Sequence, residues 1–224
     1  MKPWRVKEWI IPPKQSAAFV HQMEQVLSVY ERPYNAMNPV VCLDESPRQL
    51  IEIKEERKED GTLLQDSEYI RKGVAEMYMA FEPLAGNRWV SIEKDHTAKT
   101  WVKVVSSLLD EQYKNCSKIT LVEDNLTAHR PCTFYEVYEP HKAKAYLDRI
   151  EFVFTPKHGS WLDMAEIELS VLQRDCKGSF ESKEKLTAHI SAWQQRRNEK
   201  GVKAAWQFTN KDARIKLAKL YPPT

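Results

Sequence analysis

The segment KHGSWLDMAEIELSVL, residues 157–172, places a His-Gly-Ser turn before a predicted helix. Its apolar residues recur every three or four positions, as on the buried face of a helix: Leu162, Ala165, Leu169 and Leu172. Ser160 is placed to cap the helix, and Asp163 could complete a capping box three residues later. Glu166 lies at the edge of the apolar stripe, and Glu168 is rotated from it by about 200° on a helix of 3.6 residues per turn. Only one of these glutamates can reach a shared site, and Glu166 is favoured.

Two short apolar segments elsewhere each end in an aspartate. PVVCLDE has the composition of a central strand that is buried on both faces, with Asp44 at its end. KITLVED predicts a second buried strand, which ends in Asp124. We expect the two aspartates to meet at one edge of a sheet.

The remaining segments complete an α/β pattern. GVAEMYMAF and RWVSIE alternate apolar and polar residues around a turn and predict an antiparallel hairpin, and IEFVFTPK predicts a further strand. Helical spacing covers residues 16–31, 97–114 and 132–148, and a last helix carries Leu186, Ile190 and Trp193. This order predicts a mixed five-stranded sheet flanked by helices. Residues 45–68, with eight acidic and four basic residues, predict an exposed loop or irregular hairpin.

Charge is distributed unevenly along the 224 residues. The net charge is +2, but residues 181–224 hold ten basic and four acidic residues. This basic segment predicts either contact with phosphate or a solvated pair of amphipathic helices. The four cysteines form no C-x-x-C pair, and neither a signal peptide nor a long apolar segment is evident. These features predict a soluble cytoplasmic protein with reduced thiols and no membrane contact.

Three carboxylates that converge on one site repel each other unless cations compensate them. Oxygen ligands from Asp44, Asp124 and Glu166 would suit Mg²⁺ or Mn²⁺. Two such ions, about 3.5–4 Å apart, can activate an attacking oxygen and stabilise a leaving oxygen in phosphodiester transfer. Taken singly, Asp44 and Asp124 are more typical of turns after strands, and Glu166 of a solvated helix start.

Together, VCLDE, LVEDNLTAH and TPKHGSWLDMAEIELSVL resemble the catalytic core of DDE transposases from the bacterial insertion-sequence branch of the Tc/mariner superfamily. The closing WQFTNKDARIKLAKLYP is similar to the carboxyl end of these proteins. The resemblance implies an RNase H-like fold, two bound Mg²⁺ or Mn²⁺ ions, and cleavage and joining of DNA at transposon ends. It also implies a catalytic, metal-binding triad of Asp44, Asp124 and Glu166 on the first strand, the fourth strand and a late helix.

The chain departs from the family pattern in three respects. Between Asp124 and Glu166 lie 41 residues, more than is usual in the superfamily. Asp163 stands where the motif commonly has Asn, which adds a carboxylate one turn from Glu166. Family members usually begin with helix-turn-helix modules, and this sequence starts just after them. It therefore resembles a catalytic half, whose expected partners are DNA, a second copy on DNA and an upstream helix-turn-helix polypeptide.

Other polar residues have predicted supporting roles. By resemblance, Asn125 and His129 support the metal site, although a hydrogen-bonded histidine at a helix start explains His129 as well. The remaining residues are expected to contact the DNA backbone: Lys157, His158, Arg196, Arg197 and Lys200. An exposed helix face is the alternative for the last three.

The sequence predicts three regions. Residues 1–38 form a linker arm with an amphipathic helix, residues 39–180 form the RNase H-like catalytic core, and residues 181–224 form a basic helical extension. Two rivals to the transposase remain open. One is a structure-selective nuclease of the same fold, and the other is an inactive relic that serves in DNA binding or assembly.

Overall fold

The computed structural model describes residues 15–54, 56–59, 62–65 and 68–223. The predicted linker arm therefore lies outside the described residues up to position 14. The strands of the described chain are β1 (Val40–Ile53), β2 (Glu56–Glu59), β3 (Thr62–Gln65), β4 (Tyr69–Glu82), β5 (Asn87–Glu93), β6 (Ile119–Glu123) and β7 (Ile150–Phe154). Its α-helices are α1 (Ala17–Tyr30), α2 (Ala98–Ser107), α3 (Phe134–Val137), α4 (Pro140–Leu147), α5 (Met164–Asp175), α6 (Lys183–Glu199) and α7 (Asn210–Lys216).

Five strands form one mixed sheet in the order β5-β4-β1-β6-β7. β1 pairs antiparallel with β4 and parallel with β6, and β6 pairs parallel with β7. This confirms the predicted α/β fold with a mixed five-stranded sheet. The hairpin of β4 and β5 is also as predicted.

The first strand is longer than PVVCLDE, and the prediction that Asp44 ends it was wrong. β1 continues to Ile53, because β4 pairs with it along the whole of its length from Cys42. Backbone hydrogen bonding to β4 holds this charged stretch in a strand, which the side-chain pattern could not reveal. Beyond it, β2 and β3 form the irregular hairpin predicted for part of residues 45–68.

Apolar side chains cover both faces of the sheet. One cluster joins α1, α5 and α6 to the face that carries Cys42 and Met79, and the other joins α2 and α4 to the face that carries Leu43 and Tyr78. Neighbouring residues of β1 therefore face different helices. Asp44 shares the α5 face with Cys42, whereas Glu45 lies on the α2 face.

None of the described helices combines the length and apolar composition needed to span a membrane. Cys42, Cys116, Cys132 and Cys176 are all free thiols.

Candidate active site

Asp44 and Asp124 lie level with each other where β1 and β6 separate. The last parallel pair of these strands joins Cys42 to Val122, so each aspartate is two positions beyond this pair, Asp44 within β1 and Asp124 just after β6. Both side chains are partly buried. The predicted meeting of the two aspartates therefore follows from the register of the sheet, although Asp44 lies within β1 and not at its end.

Helix α5 starts differently from the prediction. Ser160–Leu162 form a 3-10 turn, and Asp163 is itself the N-cap, whose Oδ1 accepts a hydrogen bond from Ala165 N at 2.8 Å. The predicted Ser160 cap and capping box were wrong, because the tight turn ends before the α-helix begins. Gly159 permits this turn, since a Cβ there would lie 2.5 Å from the ring of Pro156.

Glu166 lies in the first turn of α5 and is partly buried. Burial raises the pKa of its carboxyl, and a hydrogen bond with Ser160 opposes this shift. Ser160 is thus close enough to Glu166 to favour the ionised form of the predicted third ligand.

The carboxylates interact electrostatically. Burial raises the pKa of Asp44 to about 7, and the charges of Glu45, Asp124 and Glu166 add to the shift, against a hydrogen bond from Glu45 N. Burial also raises the pKa of Asp163 well above its usual range, with a further contribution from Asp44. Asp163 Oδ2 has no hydrogen-bond partner among the described residues. The site is therefore short of positive charge.

Within the described chain, no three His, Cys, Asp or Glu side chains are already arranged as a metal site. The charges of Asp124 and Glu166 are near enough to raise the pKa of Asp44, but the three side chains would have to rearrange to share an ion. The register of β1 with β6 and the position of the start of α5 already bring the backbones of Asp44, Asp124 and Glu166 to the same region.

A family model described as DDE superfamily endonuclease matches residues 39–187. The chain belongs to this family. Solved structures of Mos1 mariner transposase share its fold. The paired-end complex with Mn is 14% identical with a TM-score of 0.56, and 88% of this chain matches 62% of that one. The strand transfer complex is 12% identical with a TM-score of 0.56, and 88% of this chain matches 61% of that one.

This DDE-family chain thus spans less than two thirds of the length of those Mos1 chains. At such low identity the likeness concerns the fold alone. No match is found among curated proteins. The RNase H-like fold that the resemblance implied is confirmed by the likeness to the Mos1 structures.

His129 contacts the site from the α2 side of the sheet. Its Nδ1 lies 2.8 Å from Asp124 Oδ1, its Nε2 lies 3.4 Å from Glu45 Oε2, and its ring stacks on Trp101. Burial opposes protonation of His129, but contacts with Asp124 and Glu45 and the charge of Glu123 outweigh it and raise its pKa to about 11. His129 lies in the loop after β6, not at the start of an α-helix.

Sequence reasoning missed two residues of this arrangement. Trp101 Nε1 donates to Oε2 of the buried Glu123 at 2.9 Å. A glutamate in a strand whose every residue is buried was the available signal, since such a carboxyl needs a partner. Asn125, the other predicted supporting residue, is exposed next to Asp124.

Glu168 does not share the environment of Glu166. Its carboxylate is buried, and Oε1 accepts hydrogen bonds at 2.7 Å from Nε of Arg88 and from Nε of Arg197. The DNA contact predicted for Arg197 conflicts with this pairing, because its guanidinium is already engaged by the protein. No local pattern indicates this pair, since Arg88 is 80 residues away from Glu168.

The other predicted DNA contacts lie on the surface. Lys157 and His158 are exposed in the loop before α5, where His158 has a φ of 65°. Arg196 and Lys200 are exposed at the end of α6 and line a cavity of about 300 Å³ with Trp193. These residues form two separate basic surfaces.

Replacing Asp163 by Asn is expected to stabilise the protein and to keep or raise its activity. Asn retains the capping oxygen and removes a buried carboxyl from a group of acids. Because the folded-state pKa of Asp163 is raised, its ionisation destabilises the fold increasingly as the pH rises above its unfolded value near 4. The gain should reach about 1–3 kcal/mol at pH 8 and vanish near pH 4 in urea unfolding. A loss of cleavage beyond tenfold would instead identify Asp163 as a metal ligand.

Proposed function

We propose that this chain is the catalytic domain of a DDE transposase, which cleaves DNA at transposon ends and joins the freed end to a target. One observation carries the proposal. Asp44 and Asp124 are level at the point where β1 and β6 separate, and Glu166 and Asp124 both contribute to the raised pKa of Asp44. This arrangement occurs in a chain of the DDE superfamily endonuclease family.

The cluster fits a divalent cation. Its donors are carboxylate oxygens, which suit Mg²⁺ or Mn²⁺. The buried Asp163 Oδ2, which has no hydrogen-bond partner in the part of the chain that the structure describes, adds to the local excess of negative charge. Asp44, Asp124 and Glu166 would hold two ions. When bound, such ions supply Lewis acidity to the attacking and leaving oxygens of a phosphodiester. Two of the similar Mos1 structures are paired-end complexes with Mn and with Mg.

The chain's own residues orient the ligands. His129 contacts Asp124 from the α2 side at 2.8 Å, and Ser160 favours the ionised form of Glu166 at the start of α5. The imidazolium of His129 also compensates Glu45 and Glu123, which leaves the negative charge concentrated on the α5 face. The uncompensated carboxylates would thus bind a cation on the α5 face of the sheet only.

DNA is the proposed substrate and partner. Lys157 and His158 precede α5 and would contact a phosphate near the triad, while Arg196 and Lys200 would contact the backbone farther away. We further propose that two copies act together on DNA, that a helix-turn-helix polypeptide supplies recognition of the transposon ends, and that the protein acts in the cytoplasm.

A strand-joining assay tests this function. The chain is incubated with Mn²⁺, a labelled duplex and a circular target, and both cleaved and joined products are measured. A joined product is expected from the transposase. Cleavage without joining would favour the structure-selective nuclease, and absence of both products and of Mn²⁺ binding would favour the inactive relic.

Binding of DNA by the isolated chain is expected to be weak, independent of sequence and sensitive to salt. Displacing about four counterions predicts a slope near −3.6 in log K against log salt. The double charge reversal Arg196→Glu and Lys200→Glu should flatten this slope, whereas Lys103→Glu, on the exposed face of α2, should not. Anisotropy titrations at several salt concentrations provide the measurement. A preference of more than tenfold for a transposon end over a scrambled duplex would contradict the absence of sequence recognition.

A further inference from the structure

A shallow cavity of about 630 Å³ lies beyond the triad, between β1 and the end of α5. Its lining includes Arg48, Tyr69, Gln173 and Gly178. Arg48 supplies positive charge and Tyr69 an aromatic ring, the two groups with which proteins bind the phosphates and bases of single-stranded nucleic acid.

The cavity continues the face of the protein that carries the triad. Asp44, Ser46 and Arg48 alternate along β1 and share one face of the strand. Glu166 and Gln173 are two turns apart on one side of α5. Gln173 Nε2 donates to Ser46 Oγ at 2.6 Å, which ties the two elements together between the triad and the cavity.

The separation corresponds to a few nucleotides. Arg48 is four residues beyond Asp44, a distance of about 13 Å along a strand. At about 3.4 Å per stacked nucleotide, this spans roughly four nucleotides, and fewer where the strand is extended. A DNA strand whose phosphodiester lies at the triad could therefore enter the cavity.

Hydrogen bonds to the described backbone hold Arg48 in place but use only one nitrogen of its guanidinium. Its Nη2 donates to Cys176 O at 3.2 Å and to Gly178 O at 2.7 Å, and the guanidinium lies over the ring of Phe180. No hydrogen bond from its Nε or Nη1 occurs within the described residues. Arg48 is thus positioned by the end of α5 and retains donors for an anion.

Tyr69 is an exposed aromatic residue at the start of β4. It is 46% exposed, and its neighbour Ile70 is 45% exposed. Successive strand residues point to opposite faces, and Ile70 does not line the cavity. Ile70 is therefore a control residue of similar exposure to Tyr69. The ring of Tyr69 offers a surface on which any base can stack.

We propose that this cavity is a nucleotide subsite, in which Arg48 contacts a phosphate and Tyr69 stacks on an unpaired base of the strand that leaves the triad. The proposal rests on the proposed function, because strand cleavage is what brings a single strand to this face. It adds a contact that depends on the presence of a base but not on which base it is.

Binding of labelled single-stranded hexanucleotides tests the subsite. Affinities are measured without divalent ions, so that no strand is cleaved, for hexamers with bases and for abasic hexamers that carry the same phosphates. Tyr69→Ala is expected to weaken binding of the base-containing hexamer by at least fivefold and to leave the abasic hexamer unchanged. Tyr69→Phe and Ile70→Ala should match the wild type. Arg48→Gln should weaken both hexamers and reduce the salt slope by about 1.

The outcomes separate the subsite from the proposed function. Equal binding of the two hexamers by the wild type, or an equal loss in Tyr69→Ala and Ile70→Ala, would overturn the subsite even if the chain cleaves DNA with Mn²⁺. A base-dependent loss confined to Tyr69→Ala in a chain that neither cleaves nor joins would support the subsite and reject the transposase. Thermal unfolding of Arg48→Gln verifies that its loss of binding comes from a folded protein.

Discussion

Asp44→Asn, Asp124→Asn and Glu166→Gln are each expected to lower metal-dependent strand cleavage by at least about a thousandfold, equivalent to about 4 kcal/mol of transition-state stabilisation. Each change removes one negative charge with little change in volume. Since repulsion by neighbouring acids acts on Asp44 without a cation, Asp44→Asn and Glu166→Gln should be no less stable than the wild type. Asp124→Asn also removes the carboxylate that lies 2.8 Å from Nδ1 of the buried His129, so this variant should be less stable. Single-turnover cleavage and thermal unfolding measure these two effects, and Mn²⁺ titration measures the metal affinity of each variant.

The control for this series is Glu111→Gln. Glu111 is an exposed carboxylate in the turn that continues α2, and its loss should change neither cleavage nor Mn²⁺ affinity. If Glu166→Gln keeps wild-type activity, the third ligand is not Glu166. Asp163, the other acid at the start of α5, would then be the next residue to test.

The location of the site was predictable, because it depends on local patterns. A run of apolar residues that ends in an acid is visible in sequence, and parallel pairing then brings Asp44 level with Asp124. The helical stripe after Asp163 likewise separated Glu166 from Glu168. These local patterns therefore predicted the fold class and the grouping of Asp44, Asp124 and Glu166.

The errors concern contacts with distant parts of the chain. β1 is long because β4 pairs with it, and the polar side chains of β1 do not indicate that β4 is its partner. The start of α5 depends on a 3-10 turn rather than on the capping preference of Ser160. The pairing of Glu168 with Arg197 was not predicted, since the third member of their network, Arg88, lies far away in sequence on β5.

Glu168 and Arg88 form the part of this network that is most deeply buried. The side chain of Arg88 is 0% exposed and that of Glu168 is 6% exposed. Arg88 also donates to Gly86 O at 2.6 Å and to Val202 O at 2.7 Å, and it lies over the ring of Phe81. Its charge therefore joins α5 to the β4–β5 hairpin and to the segment after α6.

Glu168→Gln is therefore expected to destabilise the fold, contrary to the mild effect that a solvated residue would have. Loss of one partner leaves the Arg88 charge buried without compensation, which costs about 3–5 kcal/mol and lowers Tm by roughly 6–20 °C. Burial alone would raise the pKa of Glu168, but Arg197 and Arg88 outweigh it and lower the pKa. The ionised Glu168 therefore stabilises the fold fully above its unfolded-state pKa near 4.3, and this stabilisation is lost as the pH falls through its lower folded-state pKa.

The matched control for Glu168 is Glu24, which pairs with Arg214 on the surface at 2.8 Å. Glu24→Gln should cost at most about 1 kcal/mol, because solvent screens exposed ion pairs. Urea unfolding of both variants at pH 7 and near pH 3 provides the comparison, and cleavage by Glu168→Gln at low temperature should stay within about threefold of the wild type. A folded, fully stable Glu168→Gln that has lost cleavage would reverse the assignment and make Glu168, not Glu166, the ligand on α5.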